Sequence, residues 1–237
     1  MTRLLLISDI HGNVESLKAV IESAPTYDEV LVLGDLVDYG PDPDAVIDII
    51  KELGGKVVEG NHDHAVVKGV DCRAGPSLHD ASVYTRKEIT DKKLSRTDLR
   101  WLASLPDHVR MDLGSQTALA VHATPKDRLF KYLQPWLPEE EFKEYVGEEA
   151  PSLILVGHTH RRFLRPTSFG KVVINPGSVG QPRDGDWRAS YAVLTDEGSV
   201  EFFRVKYDVE TTIRKLKESV RSDEVFLKLA NILRSGR

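Results

Sequence analysis

Short apolar runs that end abruptly at Asp, Asn or His recur along this 237-residue chain, and they constrain its fold more than any other feature. The segment Arg3 to Ile10 carries Asp9 near its end and is followed by His11; Glu29 to Leu33 leads to Asp35; Lys56 to Val58 leads to Asn61 and His62. Further on, Thr117 to His122 closes on His122 itself, and Leu153 to Val156 leads to His158 and His160. Runs this short and this rich in Leu, Ile and Val predict buried strands. Helical patterns separate the first three. Val14, Leu17, Val20 and Ile21 recur at helical spacing behind Asn13 as N-cap, and Asp42-Pro43 opens a second helix that Gly54 stops. A βαβαβ order implies a parallel sheet with helices on its faces, and ligands in such sheets bind in the crevice beyond the carboxyl ends of the strands. Five of the eight histidines sit at such ends.

The residue types gathered there suit one kind of chemistry. Asp, Asn and neutral His supply oxygen and nitrogen donors for borderline divalent metals, whereas a magnesium or calcium site would be built from oxygen alone. Asp9, His11, Asp35, Asn61, His122, His158 and His160 are too many for one tetrahedral ion and suit two ions sharing a carboxylate. Gly34, Gly60 and Gly157 directly precede donor segments, where a missing Cβ lets the backbone turn close to a metal.

The rest of the chain sets boundaries. Apolar residues make up 41% and charged residues 29%, a globular balance, and the net charge of −5 argues against nucleic acid as a partner. One cysteine, Cys72, allows no internal disulfide and fits a reducing compartment. Leu4 to Ile7 is too short for a signal peptide, and no run approaches a membrane span, so a cytoplasmic protein without membrane partners is expected. Residues 64–107 read as helical, with Ser95 and Asp98 as a capping pair. Strands are expected at Val109–Leu113 and Lys171–Ile174, a hairpin from Ala189 to Val205, and helices from Val209 onward. With no repeat or linker, residues 1–237 are expected to form one domain in which 64–107 is an embedded insertion.

Taken together, Asp9-Ile10-His11-Gly12-Asn13, Gly34-Asp35-Leu36-Val37-Asp38, Gly60-Asn61-His62-Asp63, Val121-His122-Ala123 and Gly157-His158-Thr159-His160 resemble, in order, the five motifs of the calcineurin-like metallophosphoesterases. The segments Asn175 to Arg183 and Trp101 to Pro106 extend the likeness to a small prokaryotic phosphodiesterase and phosphatase branch. The resemblance implies an α/β four-layer sandwich of two mixed β-sheets flanked by helices. It implies that Asp9, His11, Asp35 and His160 hold one metal and that Asp35, Asn61, His122 and His158 hold the other. A hydroxide bridging the two metals would attack phosphorus, with His62 as general acid and Asp38 fixing its tautomer. The metals would come from manganese, iron, zinc, cobalt or nickel, with manganese favoured.

One position departs from the pattern. Protein phosphatases of this superfamily carry Arg where Tyr39 stands, so a phosphoprotein substrate is not favoured, and Arg183 is a candidate for the replacement charge. Asn13, Lys126, Arg128 and Tyr132 are further candidates for substrate contact, Asn13 doubling as helix cap and the other three lying in a loop that could equally be solvated surface. The expected activity is hydrolysis of small-molecule phosphodiesters or phosphomonoesters. A dinucleoside polyphosphate hydrolase would use the same residues, and a non-catalytic scaffold of the same fold, as in the retromer subunit, is the alternative without an activity.

Overall fold

Leu4 and Leu6 point one way from the first strand and Leu5 and Ile7 the other, and that alternation organises the whole structure. The computed structural model describes residues 1–237. Its first half runs β1 (Arg3–Ile7), α1 (Val14–Ser23), β2 (Glu29–Val32), α2 (Pro43–Leu53) and β3 (Lys56–Val57). Helical pieces follow: α3 (Asn61–Lys68), α4 (His79–Thr85), a π-helical turn (Arg86–Thr90), α5 (Asp91–Lys93) and α6 (Arg96–Leu102). Then come β4 (His108–Leu113), β5 (Gln116–Val121), α7 (Glu139–Val146), β6 (Leu153–Leu155), β7 (Arg162–Pro166) and β8 (Val172–Pro176). The last part is β9 (Ala189–Thr195), β10 (Val200–Val205), α8 (Val209–Ser219) and α9 (Asp223–Ser235).

One sheet has the order β10-β9-β1-β2-β3, with β1, β2 and β3 parallel and β9 and β10 antiparallel to their neighbours. The other has the order β4-β5-β6-β8-β7, with β5, β6 and β8 parallel between antiparallel edges. Leu4, Leu6, Leu31 and Leu194 of the first sheet meet Met111, Ala118, Ala120, Leu155 and Ile174 of the second in one buried layer. On the outer face of the first sheet, Leu5, Ile7, Val30 and Val32 pack with Leu17, Val20, Val46, Ile47 and Ile50 of α1 and α2. On the outer face of the second, Leu119, Val121, Ile154 and Val173 meet Phe142 and Val146 of α7. The result is the expected α/β sandwich of two mixed sheets between helices. Helices α8 and α9 form a separate apolar cluster with α4 and Tyr39.

Several boundaries differ from the sequence reading for local reasons. The first strand stops at Ile7 rather than Ile10, because Asp9 and His11 adopt left-handed φ values of 52° and 47°. Strand β7 and helix α7 were not expected. Strand β7 is an exposed edge carrying two Arg and a Pro, and α7 is too acidic and short to show a clear stripe. Asp42 precedes α2 but makes no side-chain cap; its carboxylate takes Lys93 and Lys215 instead, and Pro43 begins the helix. Residues 64–107 are helical in pieces, with an irregular stretch between Lys68 and His79, and α3 starts on the donor segment itself at Asn61.

The parallel strands of both sheets direct their carboxyl ends to one edge. There the Gly34 and Gly60 backbones touch: a Cβ on Gly34 would lie 2.6 Å from the Gly60 nitrogen. A methyl group on Gly60 would overlap the main-chain nitrogen and Oδ1 of Asp35. Gly60→Ala should therefore cost about 1–3 kcal/mol of stability, the usual penalty for overpacking. Chemical denaturation would measure it, and a variant as stable as the parent would show that the Asp35 loop yields freely.

Candidate metal centre

Each donor candidate follows a strand, and five of the seven are turned inward by unusual backbone geometry. Asp9, His11, Asp35, His158 and His160 all have φ between 47° and 64°, a region that non-glycine residues seldom occupy and that concentrates at functional sites. Main-chain hydrogen bonds hold these turns together across the sheets: Ile10 and His11 N–H donate to the Asp35 carbonyl, and Gly157 N–H donates to the His122 carbonyl. The Asp63 carboxylate accepts from the N–H groups of Asp35, Leu36 and Gly60 at 2.8, 2.9 and 3.0 Å, fixing the Asp35 loop to the start of α3. Asp63 lies in the Gly60–Asp63 motif, but its role as a loop anchor shows only in three dimensions.

Two donor groups result, sharing Asp35: Asp9, His11, Asp35 and His160 in one, Asp35, His122 and His158 in the other. Asn61 joins the second, its Oδ1 lying 2.9 Å from His122 Nε2 while its Nδ2 donates to the Cys72 carbonyl. All seven residues are buried.

The imidazoles reveal what this pocket is built to hold. His11 Nδ1 faces the Val37 carbonyl at 2.9 Å, His122 Nδ1 the Leu33 carbonyl at 2.6 Å, and His160 Nδ1 the Gln181 carbonyl at 2.6 Å. His158 Nε2 faces the Phe130 carbonyl at 3.2 Å. A carbonyl only accepts, so each outer nitrogen carries the proton and each inner nitrogen of a neutral ring presents a lone pair. The inner nitrogens face one another: His11 and His160 at 3.2 Å, His122 and His158 at 3.1 Å. His122 Nε2 also faces Asn61 Oδ1 and, at 3.3 Å, Asp35 Oδ2. Acceptors pointed at acceptors require positive charge between them. Metal ligands about 2.0–2.1 Å from an ion stand roughly 3.0–3.4 Å apart, close to these separations. Asp9 Oδ1, buried without a hydrogen-bond partner and 3.5 Å from His160 Nε2, completes the fit to bound divalent cations.

The protein's own field agrees. Burial pushes His11 down to about 3 and holds His158 and His160 well below the ordinary imidazole range, so these rings are neutral, the metal-binding form. Burial pushes Asp9 up to about 7. His122 moves the other way: burial opposes its charge, but Asp35 overrides it and raises the ring to about 9. The pocket thus favours a positive charge at His122 Nε2.

Beside these donors stands a second arrangement. Asp38 Oδ2 lies 2.8 Å from His62 Nδ1 and accepts from Arg86 Nε and Nη2 at 3.1 and 2.6 Å, while Asp38 Oδ1 accepts from Thr90 at 2.9 Å. Burial works against charge on His62, yet Asp35, Tyr39 and the Asp38 hydrogen bond hold it well above the ordinary imidazole range. Burial also works against charge on Asp38, but the His62 hydrogen bond and the Arg86 guanidinium keep it below the usual carboxylate range. Arg86 and Thr90, both on the π-helical turn, carry no motif and were not singled out by sequence.

The substrate candidates divide. Tyr132 stacks on His158 with ring centroids 4.0 Å apart, and the Arg183 guanidinium stands 5.7 Å from the centre of the Tyr39 ring, which packs on His11 and His62. Asn13 is occupied: its Oδ1 caps α1 through Ser16 N–H, and its Nδ2 donates to the Gly180 carbonyl and Tyr207. Lys126 and Arg128 lie away from the donors. Arg128 pairs with Asp107 at 2.6 Å, and Lys126 lines a shallow cleft against α7. The loop begins at a donor strand but carries these two side chains outward, so only Tyr132 reaches the centre.

A family model described as the calcineurin-like phosphoesterase superfamily domain matches residues 2–199. The chain belongs to that superfamily. It is 32% identical to an uncharacterized protein of Methanocaldococcus jannaschii over 90% of this chain and 91% of the relative. A metallophosphoesterase from Sphaerobacter thermophilus superposes with a TM-score of 0.76 at 31% identity, covering 100% of this chain and 99% of that one. A symmetrical bis(5'-nucleosyl)-tetraphosphatase of an Acidovorax strain is 33% identical over 61% of this chain, a match spanning 49% of its own length. In a calcineurin-like phosphoesterase, a buried cage of inward lone pairs is a set of groups that could hold divalent metal. Loading with manganese or zinc should fix two ions per chain by elemental analysis and raise the melting temperature, since ligands that bind only the folded state stabilise it, by about 2.7 kcal/mol at a hundredfold excess over Kd. Chelation should reverse the shift; a melting temperature blind to both treatments would remove the metal assignment.

Proposed function

We propose that the protein is a dinuclear-metal phosphoesterase that hydrolyses small-molecule phosphodiesters or phosphomonoesters. The observation that carries this reading is the pair of donor groups joined at Asp35, next to a histidine whose far nitrogen is tied to a carboxylate. Asp9, His11, Asp35 and His160 would hold one ion, and Asp35, Asn61, His122 and His158 the other. Bound there, two cations lower the pKa of water and offset charge on phosphoryl oxygens. Manganese is favoured among the divalent metals, with iron, zinc, cobalt and nickel compatible with the same mixed oxygen and nitrogen donors.

The chain's own groups supply the remainder. His62 lies with Nδ1 2.8 Å from Asp38 Oδ2, which leaves its Nε2 free to offer a proton to the oxygen that leaves phosphorus. Arg86 and Thr90 keep Asp38 in place, so the ring keeps its orientation. Arg183, beside Tyr39, brings a fixed positive charge to the position where a protein phosphatase would use Arg. Tyr132 walls the opposite side through its stack on His158. No helix is long and apolar enough to cross a membrane. A buried lone thiol at Cys72 fits the cytoplasm, and we read residues 1–237 as one domain with 64–107 inserted in it. A second reading, hydrolysis of dinucleoside polyphosphates, is favoured by the tetraphosphatase relative.

Asp35→Asn should lose most bound metal and nearly all turnover of a generic aryl phosphodiester, because a neutral amide cannot serve two cations as a shared carboxylate does. Near-native turnover with two ions bound would rule out the bridge.

His62→Asn should retain both metals and lose roughly 10²–10⁴-fold in rate, less on nitrophenyl esters than on alkyl esters, whose leaving groups need the proton. Equal losses on both would mean that His62 positions phosphate instead. Arg86→Gln should produce a smaller loss with the same leaving-group dependence, since it acts through Asp38 and His62; a loss that ignores the leaving group would reduce Arg86 to a structural brace.

A further inference from the structure

A cavity of about 690 Å³ opens beside the metal centre, and of its lining residues the proposed chemistry uses only Arg183. Arg161, Arg183, Lys228, Asn231 and Arg237 line it, with Asp184 as its single carboxylate side chain. It adjoins the donors directly. Arg161 follows His160 in sequence, and Arg183 N–H donates to the His160 carbonyl at 3.1 Å. The far wall is α9, where Lys228, Asn231 and Ile232 share one face at helical spacing. That helix is pinned at its end by the bond from Gly185 N–H to the Gly236 carbonyl at 2.9 Å, and along its length by Leu229 and Ile232 packing with Leu78 and Ala81.

Its charge is unbalanced. The chain as a whole carries a net charge of −5, so a recess lined by four cations and one carboxylate side chain departs from the balance of the whole. Arg161, Arg183, Lys228 and Arg237 make no ion pair with any side chain. Arg161 stands over the exposed Trp136 ring at 5.3 Å, and Arg183 bonds only to the neutral Gln181 oxygen, at 3.1 Å from Nε. Asp184 is taken by Arg204, a residue outside the cavity. Unpaired cations lining a recess raise the local concentration of anions. The volume falls within the range of small-molecule sites.

We propose that this cavity receives a second phosphate group, or a short phosphate chain, of the substrate whose ester is cut at the metal centre. The inference rests on the phosphoesterase reading and specifies it: the preferred substrate carries phosphate beyond the scissile one. Arg183 stands between the two places, facing Tyr39 on one side and the cavity on the other. Arg161 and Lys228 then hold the outer phosphate, with Asn231 as a neutral donor.

The test compares tripolyphosphate with orthophosphate on the metal-loaded protein, by calorimetric binding and by inhibition of bis(p-nitrophenyl) phosphate hydrolysis. Tripolyphosphate should bind at least tenfold tighter. Arg161→Ala and Lys228→Ala should each weaken it by roughly three- to fivefold, the upper part of the range for exposed charge pairs, and the effect should shrink with added salt. Orthophosphate binding and turnover of the diester should stay within about twofold, since neither side chain belongs to the metal centre. Equal binding of the two anions, or tripolyphosphate binding unchanged in both variants while the parent hydrolyses the diester normally, would overturn the cavity assignment alone. Absence of hydrolysis of both bis(p-nitrophenyl) phosphate and p-nitrophenyl phosphate, with tripolyphosphate binding still lost in the variants, would overturn the phosphoesterase reading and leave the cavity as a phosphate site. A nucleoside triphosphate assayed alongside separates two sources of the phosphate: tighter binding than tripolyphosphate assigns a nucleotide, and equal or weaker binding assigns a bare chain.

Discussion

Four imidazoles held by main-chain carbonyls on their outer nitrogens have no freedom to turn their lone pairs away from one another. The carbonyls of Leu33, Val37, Phe130 and Gln181 each select one tautomer, and in doing so they commit the protein to a cage of mutually repelling acceptors. The fold has to be rigid enough to hold that cage together. It achieves this with two sheets whose parallel strands end at one edge, and with loops cross-bonded from one sheet to the other, as where Val179 N–H meets the Ser8 carbonyl and Gly180 N–H meets that of Asp9. The left-handed backbone at Asp9, His11, Asp35, His158 and His160 is the local cost of aiming so many side chains at two points. Stability is spent on preorganisation here, and the surrounding core of Leu, Ile and Val makes the expenditure tolerable.

The parallel strands of the first sheet were legible because they are buried on both faces and read as unbroken apolar runs, while the second sheet and the sandwich followed from the family resemblance. The same runs ended at the donors, and a parallel arrangement leaves strand ends nowhere to go but one edge. Strand β7 broke that rule by being an exposed edge whose side chains alternate with Arg, and α7 hid because three glutamates in its first turn swamp its two buried residues, Phe142 and Val146. Boundaries failed for a different reason. The apolar run through Ile10 continues past the point where the backbone leaves the sheet, and hydrophobicity does not report φ.

Within the site, residues near a donor in sequence were easier to find than residues near it in space. Asp38 could be noted because it closes the Gly34 to Asp38 segment that carries the family resemblance. Arg86 comes from a turn 48 residues away from the Asp38 that it grips, and no local pattern marks it. Lys126 and Arg128 show the converse error: adjacency to His122 brought them under suspicion, while the loop's own bonds, from Ala123 N–H to the Arg128 carbonyl and from Thr124 N–H to that of Asp127, turn their side chains toward Asp107 and α7. Asn13 had both readings available, and its four bonds to Ser16, Gly180, Tyr207 and Thr212 use its amide for the fold.

The order β10-β9-β1-β2-β3 places the first strand in the middle of its sheet, flanked on one side by a strand nearly two hundred residues later, with Arg3 opposite Thr195 and Leu6 opposite Ala192. A chain emerging from the ribosome can assemble β1, α1, β2, α2 and β3 from local contacts alone, which brings Asp9, His11, Asp35 and Asn61 into the nascent protein while His158 and His160 are still unmade. Until β9 arrives, the free side of β1 exposes unpaired main-chain groups next to an incomplete set of donors able to capture stray cations or pair with another nascent chain. The order of synthesis therefore leaves half of the donor set beside an open sheet edge for as long as the second half of the chain is unmade.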